Sequence, residues 1–417
     1  MTLAGAGSIW TAALLAAATL VIGFPERWPQ AAIHAGIFAL GLVWALRAVI
    51  RPAEFHWNLL VTAMASAVAW GLAQLLLGTS VYAWETGAAV LHWTALLVIA
   101  AASSWFCRET HARRRFLRLF LIFGMLVAAT TLLPPALAPA RLLSTVSAAQ
   151  GDFFGPFQNR NNYAAFVELL LPVAIWQALS DRGRAWLGWS AAALLYATVI
   201  ASGSRAGALL VTAEVAVCFT IAWFRDLAPR RQLVSGALLW TAMGAGFTVV
   251  AGWGLLWQRL HIPDPLQYRR EMMRSTLAMI AERPWSGFGL GTFETAYPRF
   301  ALFDSGLIVN YAHNDWLQWA AEGGLPLLAM LAAIAIWSVR PAVRNLWGLG
   351  VVFVCLHALV DFPLQRLGVA GWAFAILGAL AAALAGDAEV TKSRPRQPLR
   401  VQKMPPVEQQ RSAHGLG

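Results

Sequence analysis

The chain has 417 residues, of which 59% are hydrophobic and 12% charged, with a mean hydropathy of +0.59 and a net charge of +11. Soluble globular chains carry about 25% charged residues, so these values exclude disorder over most of the length and place the chain among polytopic membrane proteins. The positive charge is almost all arginine and sits in short connections between apolar runs, which points to membrane topology and anionic ligands rather than nucleic acid.

In chain order, segments long and apolar enough for a span fall at about 6–24, 31–50, 57–77, 88–106, 116–134, 162–180, 185–202, 206–224, 233–256, 320–339, 346–362 and 367–386. The expected fold is therefore an all-α membrane protein with about twelve transmembrane helices. The first apolar run has no basic n-region and no clear cleavage site, and reads as a retained span rather than a signal peptide. Five regions follow: N-terminal helices over 1–134, central helices over 135–256, a long loop over 257–319, C-terminal helices over 320–386, and a Pro- and Arg-rich tail over 387–417 expected to be a disordered cytoplasmic end.

Arginine placement fixes the expected orientation. With the N-terminus inside, Arg47, Arg51, the Arg108–Arg118 cluster, Arg182, Arg184, Arg225, Arg230, Arg231, Arg340, Arg344 and the tail all fall on the cytoplasmic side, as the positive-inside rule requires. Topology leaves a remainder on the other face. Arg259, Arg269, Arg270, Arg274, Arg283 and Arg299 lie in the long loop, Arg141 and Arg160 in the loop over 135–161, and Arg205 in a tight turn. An outer ligand would account for them.

The stretch "GDFFGPFQNRNNYAAFVELLLP" sets Asn159, Arg160, Asn161 and Asn162 directly before a span. One asparagine serves as a helix cap; the other amides suit sugar hydroxyls or loop backbone groups. In "ASGSRAGALL", Arg205 follows Ser202, Gly203 and Ser204 at a helix start, a setting that fits a phosphate or diphosphate as well as a snorkelling arginine. The long loop opens with a helical pattern through Met272, Leu277, Met279 and Ile280 that stops at Pro284. Gly287, Gly289 and Gly291 then make a turn that lacks the strand and lysine of a nucleotide motif.

The loop ends in "YAHNDWLQWAAEGG". Asp315 and Gln318 have the spacing of a capping box, so Asp315 is expected to cap the next helix. His313 lies just before that helix, whose positive end favours neutral imidazole, the form that accepts a proton. Outer-loop acids such as Asp264, Glu271, Glu282, Glu294 and Asp304 are scattered and do not form a glycosidase pair. Cys107, Cys218 and Cys355 are far apart, and His261 and His313 are isolated, so neither a disulfide framework nor a metal site is expected. Glu168, Glu214, His34, His92 and His357 lie within spans, the pattern a transporter or flippase would need; Glu168 and Glu214 lie where they would brace Arg160 or Arg205.

Five segments in order, "FGPFQNRNNYAAF", "ASGSRAGALL", "EMMRSTLAMIAERPWSGFGLGTFETAYPRF", "YAHNDWLQWAAEGGLP" and "HALVDFPLQ", resemble the O-antigen ligase and O-antigen polymerase superfamily of bacterial envelope glycosyltransferases, over about residues 150–385. The resemblance implies a GT-C-like, metal-independent transferase without a cofactor, in the bacterial inner membrane with its active site on the periplasmic face. It implies a polyprenyl (undecaprenyl) diphosphate-linked glycan as donor. The acceptor is a hydroxyl of lipid A–core in a ligase, or of another carrier-linked glycan in a polymerase. By the same resemblance His313 is the catalytic histidine, Arg205 and the loop arginine Arg269, with Arg270 next door as the alternative, hold the diphosphate, and Asp361 matches a family aspartate. Beside these, Arg160 is a further diphosphate candidate, and Asn314 or Asp361 is expected to orient the imidazole or the sugar. The expected glycan contacts are Asn159, Asn161 and Asn162.

Overall fold

A computed structural model of the chain describes residues 2–22, 27–52, 57–132, 154–263, 267–302, 306 and 308–393. The protein is an all-α polytopic membrane protein, with fifteen α-helices among the described residues. These are α1 (Leu3–Leu20), α2 (Arg27–Ile50), α3 (Leu59–Leu76), α4 (Ala83–Phe106), α5 (Thr110–Thr131), α6 (Arg160–Ser180), α7 (Ala185–Ser202), α8 (Arg205–Phe224), α9 (Arg230–Ala251), α10 (Gly254–Leu260), α11 (Gln267–Glu282), α12 (Phe293–Ala296), α13 (Asp315–Arg344), α14 (Gly350–His357) and α15 (Leu367–Ser393).

Ten of these helices are long and apolar enough to cross a membrane, against the twelve expected. Two segments account for the difference. The segment expected at 116–134 is helical as far as Thr131, where α5 ends, but Arg113, Arg114, Arg115 and Arg118 lie near the start of that helix and depress its hydropathy. At 22 residues α5 is still about 33 Å long, and it packs along α1 and α6. The segment expected at 346–362 is a true shortfall. Its α-helix, α14, has eight residues, about 12 Å, because the chain turns at Ala358–Asp361 to aim Asp361 inward.

The tail also departs from expectation: α15 continues through 387–393 as helix, and the rest of the expected disordered end, with Arg141, Asp264 and Asp304 elsewhere, lies outside the described residues.

Burial grades the helices. In α6 and α15 the span windows are 83% and 89% buried, whereas in α2 and α9 they are 11% and 17% buried, so the former are central and the latter face lipid. Between its polar first turn and its last residue, α6 has no continuous polar face, only Glu168 and Gln177, which suits a helix surrounded by protein. Small residues bring helices close to it: Gly188 of α7 lies against the backbone at Ala178, and Gly350 of α14 lies against the backbone at Glu168 and Leu169. Trp372 of α15 stacks on Phe120 of α5 with ring centroids 4.2 Å apart, and its indole N–H donates to Thr19 of α1.

The long loop is a small folded unit. The apolar side of α11, with Met272, Met279 and Ile280, closes a second core with Phe288, Phe293 and Tyr297. Gly287, Gly289 and Gly291 all have positive φ, and their turn docks on a break in α13. At that break Gly324 has φ 70° and ψ −178°, a conformation essentially restricted to glycine. The carbonyls freed there accept from elsewhere: Gly323 from the Trp70 indole, and Glu322 from Gly289 N and Gln74 Nε2. The span proper is therefore 325–344, about 30 Å, and starts five residues later than expected.

Candidate active site

Asp361 is the hub. It is fully buried in the turn between α14 and α15, and its carboxylate gathers groups from four parts of the chain. One oxygen accepts from Arg269 Nη2 of α11 at 3.1 Å and from the Asn161 amide of α6. The other accepts from its neighbour's backbone N–H, Phe362 N, at 3.0 Å and faces His313 Nδ1 at 3.3 Å. Burial alone would raise the carboxyl's pKa. The hydrogen bond from His313 and the charges of Arg269, His313 and His357 outweigh it and hold Asp361 well below the usual carboxylate range. An ionised carboxylate can only accept, so His313 Nδ1 is the donor in this pair; in the neutral imidazole that tautomer has its lone pair on Nε2.

His313 is positioned from several sides. Its backbone is in the left-handed region at φ 51°, a conformation costing a non-glycine residue about 1–3 kcal/mol. Phe362 meets its ring edge-on at a centroid distance of 4.9 Å. The side chain is 29% exposed, and Nε2 has no hydrogen-bond partner among the described residues. The helix that follows begins differently from the expectation. Asn314, not Asp315, is the cap: its Oδ1 accepts from Leu317 N, and its Nδ2 donates to Leu359 O. Asn314 is thus occupied at both ends and fixes the loop carrying His313. Asp315 is the first helical residue and is drawn away because it accepts from Leu364 N at 2.9 Å and Gln365 Nε2 at 2.8 Å. Its own N–H donates to Ala358 O and Asp361 O, tying the two loops together.

The arginines sort into two sets. Arg269 donates to Asp361 and to Val360 O at 2.7 Å, whereas Arg270 is exposed, since adjacent residues on a helix point about 100° apart. Arg205 follows the Ser204 cap of α8, donates to Arg259 O at 3.2 Å and lies within electrostatic reach of Arg269. Arg160 reaches Ser202 O at 3.5 Å, beside the same turn. The other loop arginines serve the fold. Arg274 pairs with Glu271 and Arg299 with Glu282, each at 3.1 Å, and Arg283 donates to Thr79 O, so Glu271 and Glu282 are paired rather than simply solvated.

The asparagines also divide. Asn159 caps α6 through a bond from Asn161 N at 2.8 Å. Asn161 accepts from Ser204 Oγ at 2.7 Å and donates to Asp361, so this buried amide joins the Arg205 turn to the hub. Asn162 is 4% exposed and its Oδ1 has no partner, which places it inside the bundle rather than at a glycan surface.

Residues 190–332 match the O-antigen ligase family model. The match covers about a third of the chain and supports the resemblance to the O-antigen ligase superfamily. No curated protein matches the chain. The matched O-antigen ligase region runs from within α7 to within α13; it includes Arg205, Arg269 and His313 and stops before Asp361. Asn161, on the other side, precedes it. The hub around Asp361 is therefore assembled from outside the matched region as well as inside it.

Glu168 and Glu214 do not brace arginines as expected. Glu168 accepts from His357 Nδ1 at 2.7 Å with both side chains fully buried, and neither oxygen of Glu214 has a partner. Sequence reading missed the part played by Asn161; the only signal was its surplus in a row of amides.

Proposed function

We propose that this protein is an O-antigen ligase-family glycosyltransferase that moves a glycan from a polyprenyl diphosphate to an acceptor hydroxyl, with lipid A–core as the acceptor. The observation that supports the reading best is Asp361, one carboxylate bonded both to the imidazole of His313 and to Arg269, which lies within electrostatic reach of Arg205. A general base and an anion clamp are thereby held in one rigid frame, as an in-line displacement requires.

In this mechanism the acceptor O–H gives its proton to His313 Nε2 as its oxygen attacks the anomeric carbon. The bond from that carbon to the diphosphate oxygen breaks, and the diphosphate leaves with the electron pair. Arg205 and Arg269 neutralise the departing charge, with Arg160 beside them. Asp361 remains ionised and stabilises the imidazolium that forms. One displacement inverts the anomeric centre. The energy comes from the donor's diphosphate, so no nucleotide is needed on the outer face of the inner membrane, where the reading sets the site.

Purified His313→Ala should still bind the carrier diphosphate while losing about 10²–10⁴-fold in transfer, the usual contribution of a general base. Full transfer by that variant rules the assignment out. In cells, loss of the chain should leave lipid A–core unmodified while carrier-linked polymer accumulates. Single-repeat caps on lipid A–core instead identify a polymerase.

A further inference from the structure

A cavity of about 130 Å³ lies at the same end of the bundle as His313 and belongs to none of the machinery above. The N-terminal helices build most of it, through Gln30 and His34 of α2 and His92 of α4. Tyr311, Gln365 and Arg366 close it from the loops of the active site. The polar lining is costly in a membrane bundle, yet the Nε2 atoms of both His34 and His92 are buried without a hydrogen-bond partner. Buried polar atoms of native proteins are nearly always satisfied, so two unsatisfied ones lining one cavity indicate a polar occupant.

Arg366 gives that occupant a sign. Its guanidinium lies over the Tyr311 ring, 5.2 Å from the centroid, and among the described residues it has no carboxylate partner. Stacking on the ring fixes the plane of the fork and leaves the N–H groups at its edge for an anion. Gln365 donates to Asp315 through Nε2 and so has its carbonyl oxygen left as an acceptor for a hydroxyl. Charge, amides and imidazoles in a small space suit a phosphorylated sugar.

The cavity is connected to the catalytic histidine. Tyr311 stacks on Phe362 with centroids 4.2 Å apart, and Phe362 meets His313. Asp361 joins His313 to Arg269 and Asn161, whereas Phe362 joins it to the cavity. Donor diphosphate and acceptor must meet at His313 without competing for one set of cations, and Arg366 lines the cavity whereas Arg269 is bonded to Asp361.

We propose that this cavity is the acceptor subsite, taking a phosphorylated saccharide headgroup whose hydroxyl is presented to His313 across the Phe362–Tyr311 stack. The inference rests on the transferase reading. It assigns the N-terminal helices a recognition function and Arg366 the principal specificity contact.

The test uses the full chain in proteoliposomes with polyprenyl diphosphate-linked glycan as donor. The acceptor is lipid A–core, native or enzymatically dephosphorylated, or a carrier-linked glycan. Arg366→Gln should raise the KM for the native acceptor about tenfold or more, with the donor KM and the kcat at saturating acceptor changed by less than about twofold, as expected when binding alone is lost. Dephosphorylating the acceptor should cause a similar rise with the wild-type chain, where misfolding cannot intervene, and no further rise with Arg366→Gln. An unchanged acceptor KM in either arm, or a donor KM that rises in parallel, overturns the subsite while leaving the transferase standing. Activity only toward the carrier-linked glycan, insensitive to Arg366→Gln, also overturns it. A wild-type chain inactive with every acceptor overturns the transferase reading, and the subsite falls with it.

Discussion

Two histidine–carboxylate pairs lie one helical turn apart in this molecule, and they behave in opposite ways. His357 and Asp361 are adjacent in the same turn, with Asp361 N donating to His357 O at 3.1 Å. His357 faces inward to Glu168 at 2.7 Å, both side chains fully buried, and the remaining atoms, His357 Nε2 and Glu168 Oε2, meet nothing. Asp361 faces His313, which is 29% exposed and has its outer nitrogen free, and it also carries an arginine and an amide. Both pairs set a histidine against a carboxylate, Glu168 in one and Asp361 in the other. What separates a site from a structural pair here is one reachable nitrogen and a carboxylate connected to cations rather than enclosed with its partner.

The strongest way to break the comparison is Asp361→Asn. The amide keeps the size of the side chain but loses the charge that holds Arg269, and it no longer obliges His313 to carry its proton on Nδ1. We expect kcat to fall about 10³-fold, about 4 kcal/mol of barrier, with a much smaller change in acceptor KM, because a positioning residue acts on the reacting geometry. A variant with native kcat would reduce Asp361 to a packing residue like Glu168.

The inner pair should respond in stability. His357→Leu leaves Glu168 buried without a partner and is expected to destabilise the protein by about 3–5 kcal/mol. The double variant Glu168→Leu/His357→Leu removes both polar groups and should recover most of that loss, since an apolar replacement of a buried pair is often neutral. Thermal unfolding in detergent measures the cycle. Transfer activity of the folded double variant should stay within about tenfold of wild type; a 10³-fold loss would show that the inner pair belongs to the site.

Arg269→Lys sharpens the outer half. A lysine keeps the charge but cannot donate to both Asp361 and Val360 O in the fixed geometry of the guanidinium fork. A loss of about tenfold in kcat/KM is expected, whereas Arg270→Lys, at an exposed position, should stay within about twofold. Equal losses would mean that the helix rotates to use either arginine.

Much of this was legible in the sequence, for definite reasons. Hydropathy located the spans because the bilayer imposes their length, and it misjudged the one at 346–362. The helix expected at 116–134 is present as α5 with arginines at its start, whereas the apolar run around α14 conceals a turn that brings Asp361 to its partners. Motif resemblance put His313, Arg205, Arg269 and Asp361 together, but could not choose Arg269 over Arg270, which depends on the face α11 turns to the 358–362 turn. The cap was misread because Asn314 and Asp315 both satisfy local capping rules; the contest is decided by Leu364 and Gln365, 49 and 50 residues away. The Asn161–Asp361 bond spans 200 residues, and no local pattern encodes it.

The smallest expected effect lies on the acid side of the stability profile. Asp361 has its folded pKa held below the ordinary carboxylate value of about 4. A carboxyl depressed on folding contributes stability that is fully present above its unfolded pKa and is lost as pH falls toward its folded pKa, because the unfolded chain then binds the proton first. The gap in unfolding midpoint between wild type and Asp361→Asn should therefore be constant through neutral pH and narrow below about pH 4. The groups responsible are His313, Arg269 and His357, so Arg269→Gln should shrink the gap at neutral pH as well as its acid dependence. A gap that stays constant down to pH 3 would mean that burial cancels the surrounding positive charge at Asp361, and a gap that widens as pH falls would mean that burial governs it and would make the outer pair resemble the inner one after all.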